Sequence, residues 1–346
     1  MKKKVCLRRK VVSMSKFILI PLLIFSVISG LCAGGQPDAK IIRVNTGVSA
    51  KDPAARVLVE VLKPLIEERT NGAYIIEPYS GGQLGADKEA IESLRYGTLE
   101  MNLNGTAALV GLVPELSILD LHFAFNTSER LLNVLNGDIG DMLTDKLAAQ
   151  GIVVLAWTDN GLRNLTNSRG PVNVPSDLKG LKLRTQQNKF HMAAWQALGA
   201  APTPMSISEV FTALQTHTID GQENPIPTIY GFKFYEVNNY ITLTRHVNTP
   251  CGFFFSKKIF DTLPVDIQEI FYDVAAECVD AHLKMVSDTT VEYIEAMKSE
   301  GVIINELKPE NLKLFRDATS VVWDKVGDVV GHELVSQLRK QLDAMD

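Results

Sequence analysis

From Lys40 onward the chain switches repeatedly between two hydrophobic periods, and that switching limits the fold more than any other feature. "KIIRVN" and "AYIIEPY" read as strands. Between them "PAARVLVEVLKPLIEERTNG" has the 3.6-residue period of an amphipathic helix, bent near Pro64 and ended by Asn71-Gly72. "SGGQLGADKEAIESLRYG" is a glycine turn opening a helix, with Ala90, Ile91 and Leu94 on one face and Gly97 as its stop. "LEMNLN" and "IVVLAW" return to strand character. Strand–helix alternation of this kind predicts an α/β fold with a largely parallel sheet.

After Trp157 the same grammar restarts. "PSDLKG" is a short helical turn leading into "LKLRT", where Leu181 and Leu183 alternate with Lys182 and Arg184. "FHMAAWQALGA" is a helix closed by Gly199, and "ISEVFTALQTHTIDG" is another, capped near Ser206 or Ser208 and ended by Gly221. The last third is more helical, with one periodic run from Val265 to Gly301. With 346 residues, about two domains are expected, and no tandem repeat interrupts them. The expectation is two α/β lobes and a long helical tail.

The N-terminus is of another kind. Seven basic residues and no acid precede Phe17, and "FILIPLLIFSVISGLC" then runs without charge. That apolar core is shorter than the roughly 20 residues of a membrane span, so residues 1–33 read as an export signal. Cys32 is a candidate lipid anchor, with cleavage after Ala33 the alternative. Losing the seven basic residues takes the formal charge from −5 to −12. Nothing strongly basic remains, which disfavours nucleic acid and anionic membrane surfaces as partners. Cys251 and Cys278 either pair or stay as buried thiols, and the helical setting of Cys278 favours thiols.

Catalytic signatures are missing. The six histidines show no metal-ligand spacing, and there is no CxxC, HExxH or G-x-S-x-G. "GGQLGADK" lacks the ending of a phosphate loop, so it reads as a helix entry. No catalytic residue, metal or cofactor is therefore expected. What the chain offers instead is donors near strand ends. Asn45 ends the first strand, Arg163 lies beyond "IVVLAW" in "DNGLRNLTNS", Arg184 ends "LKLRT", and Asn224 sits in the polar turn "DGQENP". Ligands of open α/β sheets bind outside the carboxyl ends of strands. An arginine fork matches a carboxylate there, and amides match hydroxyls. Singly, each residue has a plainer reading: Asn45 as a helix cap, Arg163 as a loop charge, Asn224 as a turn former.

Four segments together resemble the solute-binding proteins of TRAP-type (tripartite ATP-independent periplasmic) transporters, the family named after the C4-dicarboxylate binder DctP. They are "SGGQLGADKEAIESLRYGTLEM", "GLRNLTNSRGPVNVPSDLKGLKLRT", "ALGAAPTPMSISEVFTALQTHTIDGQENP" and "KFYEVNNYITLTRH", and the resemblance runs from about Lys40 to the C-terminus. It implies a two-lobed periplasmic-binding-protein-like fold closing on its ligand like a flytrap, with a long domain-spanning helix. Domain I would comprise 40–159 plus 250–288 and domain II 160–249 plus 289–317, with 318–346 a C-terminal helix along the base. Arg184 falls on the family's carboxylate-pairing arginine, and Arg163 on a second arginine many members use. Asn224 and Asn45 match binding-site amides, and Asn188, Gln187 and Asn104 complete the expected ligand-binding set.

The implied activity is capture of a small organic acid and delivery to a small and a large TRAP membrane subunit. It would be performed by a periplasmic monomer that does no chemistry on the solute. Gly105 and Ile207 stand where sialic-acid binders carry a glutamate and an aromatic ring, which argues against that substrate. "RTQQN" resembles the turn of members taking sugar acids, so a hexuronate or related sugar acid is expected. C4-dicarboxylates, small hydroxy- or oxo-monocarboxylates, and the ligand-binding part of a sensor are the alternatives.

Overall fold

A computed structural model describes residues 39–345; the expected export signal, residues 1–33, lies outside them. Ten strands form: β1 (Lys40–Asn45), β2 (Tyr74–Tyr79), β3 (Met101–Gly105), β4 (Ile152–Asn167), β5 (Lys182–Thr185), β6 (Ala201–Pro204), β7 (Gly221–Pro225), β8 (Tyr240–Leu243), β9 (Asn248–Ser256) and β10 (Ile303–Glu306). Their order is β2-β1-β3-β9-β4-β7-β5-β6, with β8 on β4 and β10 on β8. β1 is parallel to β2 and β3, and β5 is parallel to β6 and β7, as the alternation predicts. β4 and β9 run antiparallel to their neighbours and join the two parallel groups into one two-lobed α/β fold.

β4 is the member that sequence reading cuts short. "IVVLAW" is only its first part; the strand continues through Asn167, so Arg163 lies on it and not beyond it. Its first half pairs with β9 and its second with β7 and β8, with register shifts at Val154/Ala156 and between Asp159 and Leu162. "GQENP", expected as a polar turn, is also a strand, and all five of its residues are buried. A strand this polar can be buried because its groups bond one another: Gln222 Nε2 donates to Thr166 Oγ1 at 3.0 Å.

The cores follow the same alternation. On β9, Phe253 and Phe255 point into one cluster with Ile42, Val44 and Leu62, while Phe254 points into another with Leu94, Leu119 and Val134. Both faces of that strand are therefore covered by helices, the arrangement a near-continuous apolar strand requires. In the other lobe Leu165, Leu181, Leu183 and Trp195 form one cluster, and Val210, Ile229, Phe234 and Ile241 another.

The helix Val265–Ser299 has 35 residues, about 50 Å at 1.5 Å per residue. Phe271, Val274 and Cys278 pack into the first lobe, and Tyr293 and Met297 into the second. Between them His282 is buried, 2.9 Å from Thr158 Oγ1 and 3.1 Å from Asn160 Oδ1 where β4 crosses between lobes. One helix thus spans both lobes. Cys251 and Cys278 are buried free thiols.

Three helical expectations change. The helix with Pro64 is Pro53–Val57 and Lys63–Arg69 joined by a π turn over Leu58–Leu62. The Lys63 N–H donates to Leu58 O, five residues back, and the wider turn sits just ahead of a proline that has no N–H to give. The helix from Ile207 ends at Gln215, well before Gly221, because His217 takes a positive φ of 55°. Residues 318–346, expected as one helix, contain two, Val321–Val330 and His332–Asp343, broken where Gly331 adopts φ 93°. Their Val322, Val326, Leu338 and Leu342 pack in a cluster with Leu119, Leu131 and Val134 of the first lobe and with Phe190 and Ala194 of the helix Lys189–Ala197. Among the described residues no helix is long and apolar enough to cross a membrane.

Candidate ligand-binding cleft

Arg184 is 2% exposed on β5. Its Nε and Nη2 both donate to Met205 O, at 3.1 and 2.9 Å, which fixes the plane of the guanidinium. Its Nη1 is buried without a hydrogen-bond partner among the described residues. Burial, reinforced by the charge of Arg163, pulls its pKa down to about 10. A buried cation with an open donor costs free energy until an anion meets it.

Arg163 approaches from β4. Its Nη2 donates to Glu223 Oε1 at 2.9 Å, its Nε to Glu223 Oε2 at 2.5 Å, and its Nη2 also to the Glu223 carbonyl. The register places Arg163 opposite Pro225 and Asn164 opposite Asn224, so this pair forms across β4 and β7. Burial alone would raise the Glu223 pKa. Arg163, and hydrogen bonds from His246 and Arg163, outweigh burial and hold it well below the usual carboxylate range. His246 Nε2 lies 3.0 Å from Glu223 Oε2, and Thr244 Oγ1 lies 2.8 Å from Nδ1. A neutral ring protonated on Nε2 satisfies both contacts. Glu223 thus cancels the charge of Arg163 and leaves that of Arg184 for a ligand.

Both arginines line an inner cavity of about 50 Å³, together with Asn104, Asn160, Asn224 and Thr249. Outside it lies a cavity of about 360 Å³ bounded by Lys88, Ser206, Ser208 and Glu209. Asp87, Arg184 and Gln186 belong to both. Asp87 opens the helix Asp87–Tyr96, and burial, opposed by Arg184, raises its pKa. A side chain at Gly47 would place Cβ 2.6 Å from Asp87 Oδ1 and so would displace that carboxylate.

Of the residues singled out by sequence, the fold brings Arg184, Arg163, Asn224 and Asn104 together at the inner cavity, with Gln187 on the outer rim. Asn224 Nδ2 donates to Gln222 Oε1 at 2.5 Å. Asn45 and Asn188 line neither cavity. Asn45 is engaged in the glycine turn, accepting from the Leu84 N–H at 3.3 Å and donating to Gly85 O at 3.4 Å. Asn188 caps the helix Lys189–Ala197, accepting from the Phe190 N–H at 2.8 Å, and donates to Asp120 Oδ2 at 2.6 Å. Asp87, Gln186, Asn160 and Thr249 were missed. The signal for Gln186 was weak, its place two residues after Arg184 and one past the end of β5. No group of residues that could hold a metal ion occurs among the described residues.

Two α/β lobes, a shared crossing strand and a buried arginine facing a polar cleft define a two-lobed solute-binding protein. Residues 44–328 match the family model DctP, bacterial extracellular solute-binding protein family 7, and the chain belongs to that family. It is 35% identical over 294 residues to the 2,3-diketo-L-gulonate-binding periplasmic protein YiaO of Escherichia coli, covering 84% of this chain and 88% of that one. The fold is similar to the crystal structure of the sugar acid binding protein DctPAm from Advenella mimigardefordensis in complex with galactonate. That similarity has a TM-score of 0.86 at 33% identity, over 89% of this chain and 99% of that one. A TRAP periplasmic solute-binding protein from Sulfitobacter with bound β-D-galacturonate gives a TM-score of 0.83 at 27% identity, over 87% and 100%. Proteins of this family are periplasmic receptors that bind small organic acids and work with TRAP membrane subunits.

Proposed function

We propose that this receptor takes a six-carbon sugar acid, a hexuronate or close relative, and hands it unchanged to the small and large TRAP membrane subunits. The observation that carries the reading is the unpartnered, buried Nη1 of Arg184 at the inner cavity. Nη1 of Arg163 also makes no hydrogen bond to any described residue, its other two nitrogens being held by Glu223. A carboxylate between the two arginines gains charge-assisted bonds and relieves their repulsion. The outer cavity, with its serine hydroxyls and carboxylates, suits a chain of hydroxyls. Relatives that bind 2,3-diketo-L-gulonate, galactonate and galacturonate support the same class.

The working lobes in this reading are 40–159 plus 250–288 and 160–249 plus 289–317, with β4 and β9 as the crossing strands. Ligand touching both lobes stabilises the closed arrangement by its differential affinity for that state. The exported protein acts as a monomer without a nucleic-acid partner. A thermal-shift screen of the mature protein against sugar acids, C4-dicarboxylates and short hydroxy-acids tests the class, because a ligand of the folded state raises Tm. Sugar acids should give the largest shifts; a larger shift with succinate overturns the sugar-acid reading.

A further inference from the structure

The inner cavity, about 50 Å³, has room for a carboxylate and little more, at about 10–15 Å³ per water-sized group. The body of a sugar acid held at Arg184 must therefore extend into the outer cavity of about 360 Å³. Gln186 stands at the junction, being one of three residues that line both. It follows Arg184 by two positions, one residue past the end of β5. Its amide crosses the cleft toward β3, where Nε2 lies 3.9 Å from the place a Cβ on Gly105 would occupy. Yet the amide makes no hydrogen bond to any described residue. An amide on a half-buried residue, with its donor and acceptor open where the two cavities meet, is placed to meet a hydroxyl.

We propose that Gln186 is a specificity-determining residue that reads the hydroxyls next to the carboxylate end of the ligand, a role that rests on the sugar-acid reading above. An amide both donates and accepts, so it pairs with a carbinol OH in either sense, and a methylene in the same place leaves it unpaired. Gln187, the neighbour that sequence reading favours, is exposed and lines only the outer cavity.

The test is calorimetric titration of the wild type, Gln186→Met and, as a control, Gln196→Met, an exposed glutamine on the helix Lys189–Ala197 that lines neither cavity. The probe is whichever of galactonate, galacturonate or 2,3-diketo-L-gulonate the wild type binds most tightly. Methionine matches the length of glutamine without its amide. Gln186→Met should weaken binding by about tenfold, the scale of one ligand hydrogen bond. Gln196→Met should stay within twofold, and the ligand-free Tm of both variants should stay at the wild-type value. Gln186→Met binding within twofold of wild type overturns the proposal, as does an equal loss in Gln196→Met. A wild type that binds none of the three acids overturns the sugar-acid reading itself, a result distinguishable from either of those.

Discussion

Arg184→Lys keeps a positive charge and removes the fork, and the cleft geometry says what that costs. In the native site one guanidinium does two jobs: Nε and Nη2 hold Met205 O, and Nη1 is left for the ligand. A single ammonium cannot reach both. If it takes the carbonyl, the carboxylate loses its charged donor; if it takes the carboxylate, a buried carbonyl is stranded. A lost charge-assisted bond and an unpaired buried group together amount to about 2–4 kcal/mol, or roughly 30- to 1,000-fold in Kd. A second signature follows from burial, which already draws Arg184 down to about 10. Lysine ordinarily titrates about two pH units below arginine, and the same burial lowers it further, so its ammonium gives up the proton well before the guanidinium does. The variant should therefore lose further affinity between pH 7 and pH 9, as the ammonium loses its proton, whereas the wild type should not. Calorimetric titration of the tightest-binding sugar acid at both pH values measures both effects. Variant affinity within threefold of wild type at pH 7 would refute the reasoning and return Arg184 to a structural role.

Two further perturbations probe the frame around the cleft. Asp159 is fully buried at the β4 crossover, accepting from Ser128 Oγ at 2.6 Å, the Gly161 N–H at 2.9 Å and the Thr249 N–H at 3.2 Å; burial, only partly offset by these bonds, raises its pKa to about 6. A carboxyl raised in the folded state contributes stability at low pH that is lost as pH climbs from about 4 through 6, at most about 3 kcal/mol. Asp159→Asn should remove that loss, making the variant more stable than wild type at pH 7.5 but not at pH 4 in urea melts; destabilisation at pH 7.5 would contradict this. Gly231 packs on the loop after β1, where an added Cβ would lie 2.2 Å from Ser49 Oγ. The proposed partition puts these two segments in different lobes, so Gly231→Val should hold them apart and weaken ligand binding by about tenfold or more. An unchanged dissociation rate in stopped-flow measurements would argue that the contact plays no part in closure.

The elements that could be read from the sequence are those whose side chains obey one dominant rule. Phe253, Phe254 and Phe255 alternate between two cores, Gly97 and Gly199 stop helices with positive φ, and the long run from Val265 buries residues three and four apart. β7 resisted because its buried residues are polar: Gln222, Glu223 and Asn224 find their partners on β4 or on one another, and no local pattern announces pairing with a strand some sixty residues away. The same pairing drew Arg163 onto a strand whose composition suggested a loop. Asn45 and Asn188 show the opposite limit, since an amide that bonds its own turn or caps its own helix looks the same in sequence as one offered to a ligand. Gln186 stands two residues after Arg184 but one past the end of β5, where the two-residue period no longer says which way a side chain faces.

The most direct test of the central claim is a matched pair, galactonate and galactitol, which share six carbons and differ only in carrying a carboxylate or a carbinol at one end. Titrated calorimetrically into the mature protein at pH 7.5, galactonate should bind and galactitol should be weaker by at least about 1,000-fold, the scale of leaving a buried arginine without its anion. Equal affinity for the two would show that the cleft does not recognise a carboxylate, and would contradict the role assigned to Arg184.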